Sequence, residues 1–440
     1  MKKLSVIAFF FISFLHVYGQ SNFDYLYESV RLLTSSEFKG RGYIYGGADS
    51  TARYIKNAYR EIGLSALSYD FQQSFLITAF GRINEQSSIS INGRPYAIWS
   101  DFTINPYVND WTRGQFIGQH HLYPYYKNDS VFLYRDRDAE DCLIRVKLIS
   151  EKRIFQTILE GDTLADKFFG RKHTTACLHS YLQQPNMNLY PSPMMSRKLK
   201  QIANINTSNS VKETIFVDIQ RDTSSYLCSN IIGRLNVRSS VDSIILVTAH
   251  YDHLGQRATS YYPGANDNAS GVGVMLELAN WLSIAVDEGW QPRHNIVFVA
   301  FAAEEYGLLG SEYFVQSNLI DTSLIKCVLN LDMIGGLGAT LKEHSRSLYL
   351  LKSANVQHTY IEYLLEADSV NAGVDFLLDG NAKYLRYSDQ ASFIRRDIPS
   401  LFLFSGEDGV IHTVNDTADK LNFEKMESLV EVLYDWLKRN

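Results

Sequence analysis

The second half of the chain most strongly limits which fold the sequence can adopt. From Cys228 onward, short apolar runs alternate with segments in which apolar residues recur every three or four positions. The apolar runs are 231–235, 243–249, 295–301, 327–333 and 400–404, and the helical patterns are 271–282, 310–316, 357–368 and 423–438. Buried strands that alternate with helices predict an α/β fold, a three-layer sandwich with a mostly parallel central sheet.

The first half of the chain predicts a further module. Residues 25–33 and 50–62 have helical periodicity, and residues 89–98 alternate around Asn92-Gly93 as in a β-hairpin. The stretch 100–222 is rich in Tyr and Phe, with an apolar run at 143–149 and a possible strand at 174–178. We interpret it as an inserted, mostly β module of about 120 residues. The main domain is then formed by residues 20–99 together with residues 223–440.

The first nineteen residues have the features of a secretory signal peptide. Lys2 and Lys3 precede an apolar run from Leu4 to Leu15, and Gly19 is a small residue at a suitable cleavage point. The run is shorter than the roughly 20 residues that a membrane-spanning helix needs, and no Cys follows it for a lipid anchor. We therefore expect export to the periplasm or the cell exterior, without stable membrane insertion once residues 1–19 are removed.

Charge and cysteine content restrict the remaining classes. Lys and Arg total 42 against 48 Asp and Glu, a net charge of −6 without a long block of like charges, so nucleic acid is not an expected partner. The cysteines Cys142, Cys177, Cys228 and Cys327 are widely separated and lack zinc-knuckle spacing. In an exported chain they allow three disulfide pairings or buried free thiols.

Acidic and imidazole residues follow the predicted strands. Because ligands bind at the loops after the carboxyl ends of the strands in such sheets, we expect these side chains to gather in one site. The residues are His250, Asp252 and His253 after run 243–249, Asp267 before helix 271–282, Glu304 and Glu305 after run 295–301, Asp332 at the end of run 327–333, and His412 beyond run 400–404.

This set of side chains predicts a metal centre. Burying so many ionisable groups is costly unless cations or hydrogen bonds neutralise them, and a purely structural ion-pair network would leave carboxylates uncompensated. Imidazole nitrogens with carboxylate oxygens, and no thiolate, suit zinc or another first-row divalent metal. Two histidines and three carboxylates exceed what one open tetrahedral ion needs, and suit two ions that share a bridging carboxylate.

Five ordered motifs carry a resemblance to a known family. They are Ala249-His250-Tyr251-Asp252, Gly264 to Gly271, Ala303-Glu304-Glu305-Tyr306-Gly307, Asn330 to Gly335 and His412 to Thr417. Together they resemble the co-catalytic di-zinc aminopeptidase family, secreted leucine-aminopeptidase-like metallopeptidases related to glutamate carboxypeptidase and glutaminyl cyclase. The match covers residues 228–440 well, and the segment Gly40-Arg41-Gly42 extends it weakly toward the N-terminus.

The resemblance implies a zinc-exopeptidase fold and a role for each motif residue. It implies one zinc ion on His250, Asp267 and Asp332, and a second zinc ion on Asp267, Glu305 and His412. Glu304 would be the general base that takes a proton from a metal-bridging water and passes it to the leaving amine. Asp252 would orient the His250 ring through its other nitrogen, and the peptide between Asp267 and Asn268 would be cis.

Other residues are expected to have lesser roles. His253 is interpreted as structural, since the chemistry needs no third imidazole, and Asn415 and Asp416 as residues that fix their loop by hydrogen bonds. Asp389 falls at a position flanking the site. Ile411 stands where some relatives have a tyrosine that stabilises the oxyanion, so another donor or the metals alone would serve. The 100–222 insertion lies where many relatives carry a protease-associated domain, here in a degenerate form.

We therefore expect a secreted, zinc-dependent aminopeptidase that acts on peptides. Three alternatives remain: a carboxypeptidase or dipeptidase on the same metal core, a glutaminyl cyclase with a single zinc ion, and a non-enzymatic, receptor-like ectodomain. The last of these would be expected to lose ligands or the base, whereas Glu304 and all five ligand residues are present.

Overall fold

The structure is a computed structural model. It describes residues 23–83, 88–91, 93–97, 102–104, 118–127, 130–134, 142–147, 187–191, 215–219, 221–237, 241–257, 260–337, 346–371, 373–378 and 380–440. The predicted signal peptide at 1–19 and the possible strand at 174–178 lie outside these residues.

The α-helices of the described part agree with the predicted helical segments within a few residues. They are α1 Asp24–Leu33, α2 Gly47–Ile62, α3 Ser270–Asp287, α4 Leu309–Gln316, α5 His358–Asn371, α6 Gln390–Ile394 and α7 Phe423–Arg439. The short helix α6 had no counterpart among the predicted helices.

Strands are found in both halves of the chain. In chain order they are β1 Ser65–Ala66, β2 Gln72–Ile83, β3 Ser88–Ile91, β4 Arg94–Ala97, β5 Phe102–Ile104, β6 Gly118–Lys127, β7 Ser130–Tyr134, β8 Cys142–Lys147, β9 Met187–Pro191, β10 Ile215–Ile219, β11 Arg221–Arg234, β12 Ile244–His250, β13 Gln256–Arg257, β14 Ser260–Tyr261, β15 Asn295–Phe301, β16 Ile325–Leu331, β17 Ser347–Lys352, β18 Asp375–Leu377 and β19 Ser400–Phe404.

The main sheet is mixed at its edges and parallel at its centre. Among the described strands its order is β1-β11-β15-β12-β16-β19-β17-β18, with β2 also paired to β11. The neighbours β15, β12, β16 and β19 are parallel, whereas β11 runs antiparallel to β15 and β17 runs antiparallel to β19. The predicted α/β fold with a mostly parallel central sheet is therefore confirmed.

Two apolar clusters show why these runs become buried strands. Alternate residues of β12, such as Ile245 and Val247, join the cluster that includes α1, α2, α3, α5 and α7. The residues between them, such as Leu246, join a second cluster with Phe314 of α4 and Phe393 of α6. Because both faces of the sheet are covered, its central strands are almost continuously apolar, as in β12 and β15.

A second sheet is built from residues 88–219. Its described strands follow the order β4-β3-β10-β6-β7-β8-β9-β5, and the predicted hairpin is present as the antiparallel pair of β3 and β4. This hairpin lies before residue 100 and nevertheless belongs to the second sheet, so the division of the chain at residue 100 remains a prediction.

Helix α3 and the turn before it form the one described segment that is long and apolar enough to cross a membrane. The segment is Ala265–Asp287, and 78% of its apolar window is buried within the fold. Such burial is typical of a core helix, and the face of α3 packs against α1 and α7. The cysteines Cys228 and Cys327 of the sheet are also buried, and both are free thiols.

Candidate metal centre

The parallel strands bring the predicted ligand residues to one edge of the sheet. His250 is the last residue of β12, Asp332 follows β16 directly, and Glu304 and Glu305 lie just beyond β15. Asp267 lies in the turn that leads into α3, and His412 in the loop after β19. Because β12, β15, β16 and β19 are parallel neighbours, their carboxyl ends meet at the same edge.

Asp267 lies between two imidazoles. Its Oδ1 is 3.3 Å from His250 Nε2, which in turn is 3.1 Å from Asp332 Oδ1. Its Oδ2 is 3.0 Å from His412 Nε2, which in turn is 3.2 Å from Glu305 Oε2. One carboxylate thus offers one oxygen to each of two imidazole–carboxylate groups, which is the arrangement that a bridging ligand requires.

The donor atoms fit zinc in kind and in spacing. They are imidazole nitrogens and carboxylate oxygens, both common zinc ligands with bonds of about 2.0–2.2 Å. Ligand atoms at the corners of a tetrahedron of that size lie about 3.3–3.6 Å apart, close to the four observed separations of 3.0–3.3 Å. The residues that the resemblance assigned to two zinc ions therefore lie where they could hold them.

The adjacent glutamates Glu304 and Glu305 belong to different groups. Glu304 offers a carboxylate oxygen within 4.8 Å of donor atoms of His250 and Asp332, whereas Glu305 groups with Asp267 and His412. Burial raises the pKa of Glu304 well above its usual range; nearby Glu305 adds to this effect and His250 opposes it. Burial also raises the pKa of Glu305, but His412 and a hydrogen bond to His253 outweigh it and hold the value at about 2.

Asp252 supports the site through two different atoms. The Nδ1 atom of His250 lies 3.2 Å from the main-chain carbonyl oxygen of Asp252. The carboxylate of Asp252 instead accepts a hydrogen bond of 3.0 Å from the backbone N–H of Glu304. The resemblance implied that Asp252 orients the His250 ring; here the carbonyl contacts the ring, while the carboxylate fixes the loop that carries Glu304.

Backbone conformation at the ligand loops is unusual. Ala303 before the base, Met333 after Asp332 and His412 itself have positive φ angles of 54°, 55° and 58°. Residues with a Cβ rarely adopt this left-handed conformation, and such positions cluster at functional sites. The peptide between Asp267 and Asn268 is cis, as expected.

Arg41 was noticed in the sequence only as part of a weak motif, but it lies directly behind the site. Its side chain is fully buried, and its five N–H donors contact the carbonyl oxygens of Tyr251, Leu33, Pro263, Gly264 and Asp267 at 2.6–3.0 Å. The neighbouring Tyr43 hydroxyl accepts a 2.7 Å hydrogen bond from the N–H of Ala303. The N-terminal segment therefore holds the turn that contains Asp267 and the loop that contains Glu304.

Two further polar residues fix the turn that contains Asp267. The carboxylate of Asp416 accepts hydrogen bonds from the backbone N–H groups of Asn266 and Asp267, at 2.8 and 3.0 Å. The side-chain oxygen of Asn266 accepts from the N–H groups of Gly335 and Gly336, at 3.0 and 2.7 Å. Asp416 thus has a hydrogen-bonding role as predicted, although it fixes a distant turn rather than its own loop.

The residues given lesser roles fall around the centre. His253 is buried, with its Nδ1 2.7 Å from Glu305 Oε1. Asp389 is fully buried, and burial raises its pKa to about 7. Ile411 packs in an apolar cluster with Met333 and Phe404, so it supplies no oxyanion donor. One sequence signal could have predicted that His253 lies at the centre: it follows His250 by three residues in the same loop.

The fold and the side chains together define a class of protein, the α/β sandwiches with a candidate imidazole–carboxylate metal centre at the carboxyl edge of the sheet. Residues 230–437 match the sequence model of peptidase family M28. This match confirms the family resemblance that the five motifs carry, and it supports the expected enzyme class, a metallopeptidase.

Curated relatives carry names that agree with this class. The chain is 32% identical over 195 residues to the aminopeptidase YwaD of Bacillus subtilis, an alignment that covers 42% of this chain and 38% of the relative. It is 30% identical over 204 residues to the probable lipoprotein aminopeptidase LpqL of Mycobacterium tuberculosis, covering 43% of this chain and 37% of the relative. The chain thus spans well under two thirds of the length of these relatives.

Solved structures show the same fold over a longer stretch. The zinc aminopeptidase BSAP from Bacillus subtilis matches with a TM-score of 0.58 at 19% identity, over 94% of each chain. An aminopeptidase from Aneurinibacillus sp. strain AM-1 matches with the same TM-score at 17% identity, over 94% of this chain and 92% of the other. At these identities the likeness bears on the fold alone.

Proposed function

We propose that this chain is an exported, zinc-dependent aminopeptidase that removes amino-terminal residues from peptides. The observation that carries the proposal is the position of Asp267, whose two carboxylate oxygens each face a different imidazole at 3.0–3.3 Å. His250 and Asp332 complete one zinc subsite, and Glu305 and His412 complete the other. When bound, two zinc ions would supply Lewis-acid chemistry at the scissile carbonyl and would acidify water.

The protein's own contribution to the reaction is centred on Glu304. Its carboxylate lies beside the subsite of His250 and Asp332, and its backbone N–H is fixed by Asp252. We assign it the transfer of a proton from the attacking water to the leaving amine. A carboxylate with a raised pKa suits this exchange, because a general base works best when its pKa lies near the working pH.

The cation directly behind the centre, Arg41, is not placed to serve a carboxypeptidase. A carboxypeptidase needs a cation to bind the terminal carboxylate of its substrate. Arg41, whose charge acts on Asp267 and Glu305, is fully buried and directs all five N–H donors to main-chain carbonyls. It therefore has no donor left for a substrate, and the relatives YwaD and LpqL are also named aminopeptidases.

The reaction is tested with paired substrates and a paired variant. Amino-acid anilides and free-amine peptides should be cleaved and N-blocked peptides should not, with loss of activity under chelation and recovery with zinc. Glu304→Gln should reduce kcat about 10²–10⁴-fold while two zinc ions remain bound by elemental analysis. Glu362→Gln, on an exposed helical glutamate, is the matched control and should keep full activity.

Several results would contradict the proposal. Cleavage of N-blocked peptides alone would indicate a carboxypeptidase, and one tightly bound ion per chain with cyclisation of N-terminal glutamine would indicate a glutaminyl cyclase. A Glu304→Gln enzyme with unchanged kcat would refute the assignment of the base.

Export is the second part of the proposal and rests on Lys2, Lys3 and the apolar run from Leu4 to Leu15. Phe10→Asp, which places a charge in the middle of that run, should leave the protein inside the cell and about two kilodaltons heavier, by roughly nineteen residues. The control is Tyr69→Asp, which makes the same kind of change at an exposed residue outside the apolar run and should leave export unchanged. Unchanged fractionation of Phe10→Asp would refute the signal peptide.

A further inference from the structure

The loop that carries His412 is bonded to a single residue from both of its ends. Asp408 and Asp416 lie four positions before and four positions after His412. Oδ2 of Asp408 accepts a hydrogen bond of 3.0 Å from the side-chain amide of Asn266, and Oδ1 of Asp416 accepts one of 2.8 Å from the backbone N–H of the same residue. Asn266 directly precedes Asp267, so both ends of the loop are tied to the turn of the proposed bridging ligand.

The carboxylate of Asp408 also fixes the turn that leads to His412. Its Oδ1 accepts the backbone N–H groups of Val410 and Ile411, each at 3.1 Å. An aspartate that bonds N–H groups two and three residues further along holds a tight turn of the chain. One carboxylate therefore holds this turn through Oδ1 and the residue before Asp267 through Oδ2.

The orientation of the Asn266 side chain is set by its other contacts. Its oxygen accepts the N–H groups of Gly335 and Gly336, at 3.0 and 2.7 Å, so its Nδ2 group must face Asp408. A Cβ atom at Gly336 would lie 2.8 Å from Oδ2 of Asp408 and closer still to Nδ2 of Asn266. The hydrogen bond between Asn266 and Asp408 is therefore enclosed by the main chain of the loop after Asp332, and a glycine is needed there to admit it.

We propose that Asp408 is a positioning residue, which fixes the distance from His412 to Asp267 through its bond to Asn266. Nε2 of His412 lies 3.0 Å from Oδ2 of Asp267. Bonds to zinc are only about 2.0–2.2 Å long, so a loop that shifts by about 1 Å takes its imidazole away from the ion. Partners that orient ligands typically contribute about 10–100-fold in metal affinity.

The effect should fall on one of the two proposed zinc ions. The inference rests on the proposed two-zinc function, in which Glu305 and His412 share one subsite, and His250 and Asp332 share the other. His250 ends β12 and Asp332 follows β16 directly, so central strands of the sheet carry this second pair without the help of the His412 loop. Loss of the Asp408 contact should therefore weaken the zinc ion of the His412 subsite and leave the other ion in place.

Reversal of the hydrogen bond tests the role of Asp408. Asp408→Asn must turn an amide N–H group either to the amide of Asn266 or to the N–H groups of the turn, and Asn266→Asp sets one carboxylate against another. The two changes together restore the hydrogen bond with the donor on the opposite side, keep every other acceptor and leave the net charge unchanged. In zinc titrations against a chelator, each single variant should weaken one of two bound ions about 10–100-fold. The double variant should recover most of this loss.

A second background shows whether the effect acts through His412. In His412→Ala the imidazole to be positioned is gone, so Asp408→Asn should cause no further loss of zinc affinity there. Asp321→Asn is the matched control, because Asp321 accepts the N–H of Ser323 at 3.0 Å in a turn before β16, at the opposite end of that strand from Asp332. It should leave the affinity for both zinc ions unchanged.

The outcomes distinguish this inference from the proposed function. Unchanged zinc affinity in Asp408→Asn, an equal loss for both ions, or the same loss in the His412→Ala background would overturn the role of Asp408. Aminopeptidase activity and two zinc ions in the wild-type protein would then leave the proposed function intact, whereas failure of the wild-type protein to bind zinc would refute both. Circular dichroism of the metal-free variants establishes that the fold is kept. Where Asp408→Asn does not fold, the double variant decides: recovery of both zinc affinities supports the inference, and continued loss overturns it.

Discussion

Replacement of Arg41 by alanine should destabilise the protein far more than an ordinary arginine substitution. The guanidinium has five N–H donors, and all five contact main-chain carbonyl oxygens in a fully buried position. The acceptors include Leu33 at the end of α1, Pro263 and Gly264 before the turn, and the bridging Asp267. One side chain thus joins the N-terminal helices to two ligand loops.

The size of the effect follows from these contacts. Hydrogen bonds from a charged donor contribute about 1.5 kcal/mol each at the lower end, or about 7 kcal/mol for five. Against this stands the cost of burying the charge, because burial lowers the pKa of Arg41 to about 10, a change equivalent to roughly 3 kcal/mol. We therefore expect Arg41→Ala to lower the free energy of unfolding by about 4 kcal/mol, which is exceptional for one substitution.

Urea unfolding of the metal-free protein measures this directly, since bound zinc would otherwise add its own stabilisation. Arg53→Ala is the matched control: Arg53 is exposed on α2, and among the described residues its side chain bonds only the Ser50 hydroxyl, so its loss should be within about 0.5 kcal/mol. Arg41→Lys offers at most three donors and should fall between the two. A loss below about 1 kcal/mol for Arg41→Ala would refute the idea that this side chain holds the loops together.

Three further predictions concern polar groups around the site and on the surface. Asn266→Ala removes the acceptor of two buried N–H groups and should cost about 2–3 kcal/mol in urea unfolding. The control Asn280→Ala removes a long hydrogen bond of 3.4 Å to Glu277 and should cost less than about 1 kcal/mol. Burial lowers the pKa of Lys425 from 10.5 to about 7, with Asp408 opposing; the unfolded chain therefore holds this proton at pH 7–9 while the folded chain releases it. Between pH 7 and 9 the free energy of unfolding of the wild-type protein should therefore rise relative to that of Lys425→Met, by at most about 1.4 kcal/mol per pH unit. If the two free energies change with pH in parallel, the assignment is wrong. Hydrogen bonds from Arg396 hold the pKa of Glu312 at about 2. At pH 6 the wild-type protein should therefore be more stable than Glu312→Gln, by less than about 1 kcal/mol because the pair is partly exposed. This difference in the free energy of unfolding should shrink as the pH falls below 4.5 toward 2.

The strands were predictable wherever both faces of the sheet are covered. The runs 295–301 and 400–404 are strands with the bounds that the sequence predicts, because a strand buried on both faces must be apolar from end to end. The position of the acids and imidazoles also followed from the sequence, since parallel strands place their carboxyl ends at one edge. Strands β17 and β18 at one end of the sheet were not predicted. The edge strand β18 is only partly buried and is exposed at its first residue, and such a strand has no continuous apolar run.

Long-range contacts account for what the sequence did not predict. Arg41 bonds carbonyl oxygens of residues 210 to 226 positions away, and no local pattern indicates such partners. His253 was interpreted as structural because the expected chemistry is complete without it, and only the fold shows that its ring meets Glu305. The β3–β4 hairpin was predicted from its alternation, but the sheet that it joins depends on pairing with β10, more than a hundred residues further along.

The pair Glu304-Glu305 shows how backbone geometry gives neighbouring identical side chains different chemistry. In an extended strand, two successive carboxylates would point to opposite faces of the sheet. Here the two glutamates lie beyond the end of β15, in a turn that begins at Ala303, whose φ angle is positive. The Tyr43 hydroxyl and the Asp252 carboxylate accept the N–H groups of Ala303 and Glu304 and so fix this turn. Glu305 is then held between His253 and His412, and its pKa is lowered to about 2, as suits a ligand. Glu304 is left beside His250 and Asp332 with a raised pKa, as suits a base. Two adjacent acids therefore meet different surroundings, as the proposed roles of ligand and base require, because residues from the N-terminal segment and from the loop after β12 fix the turn between them.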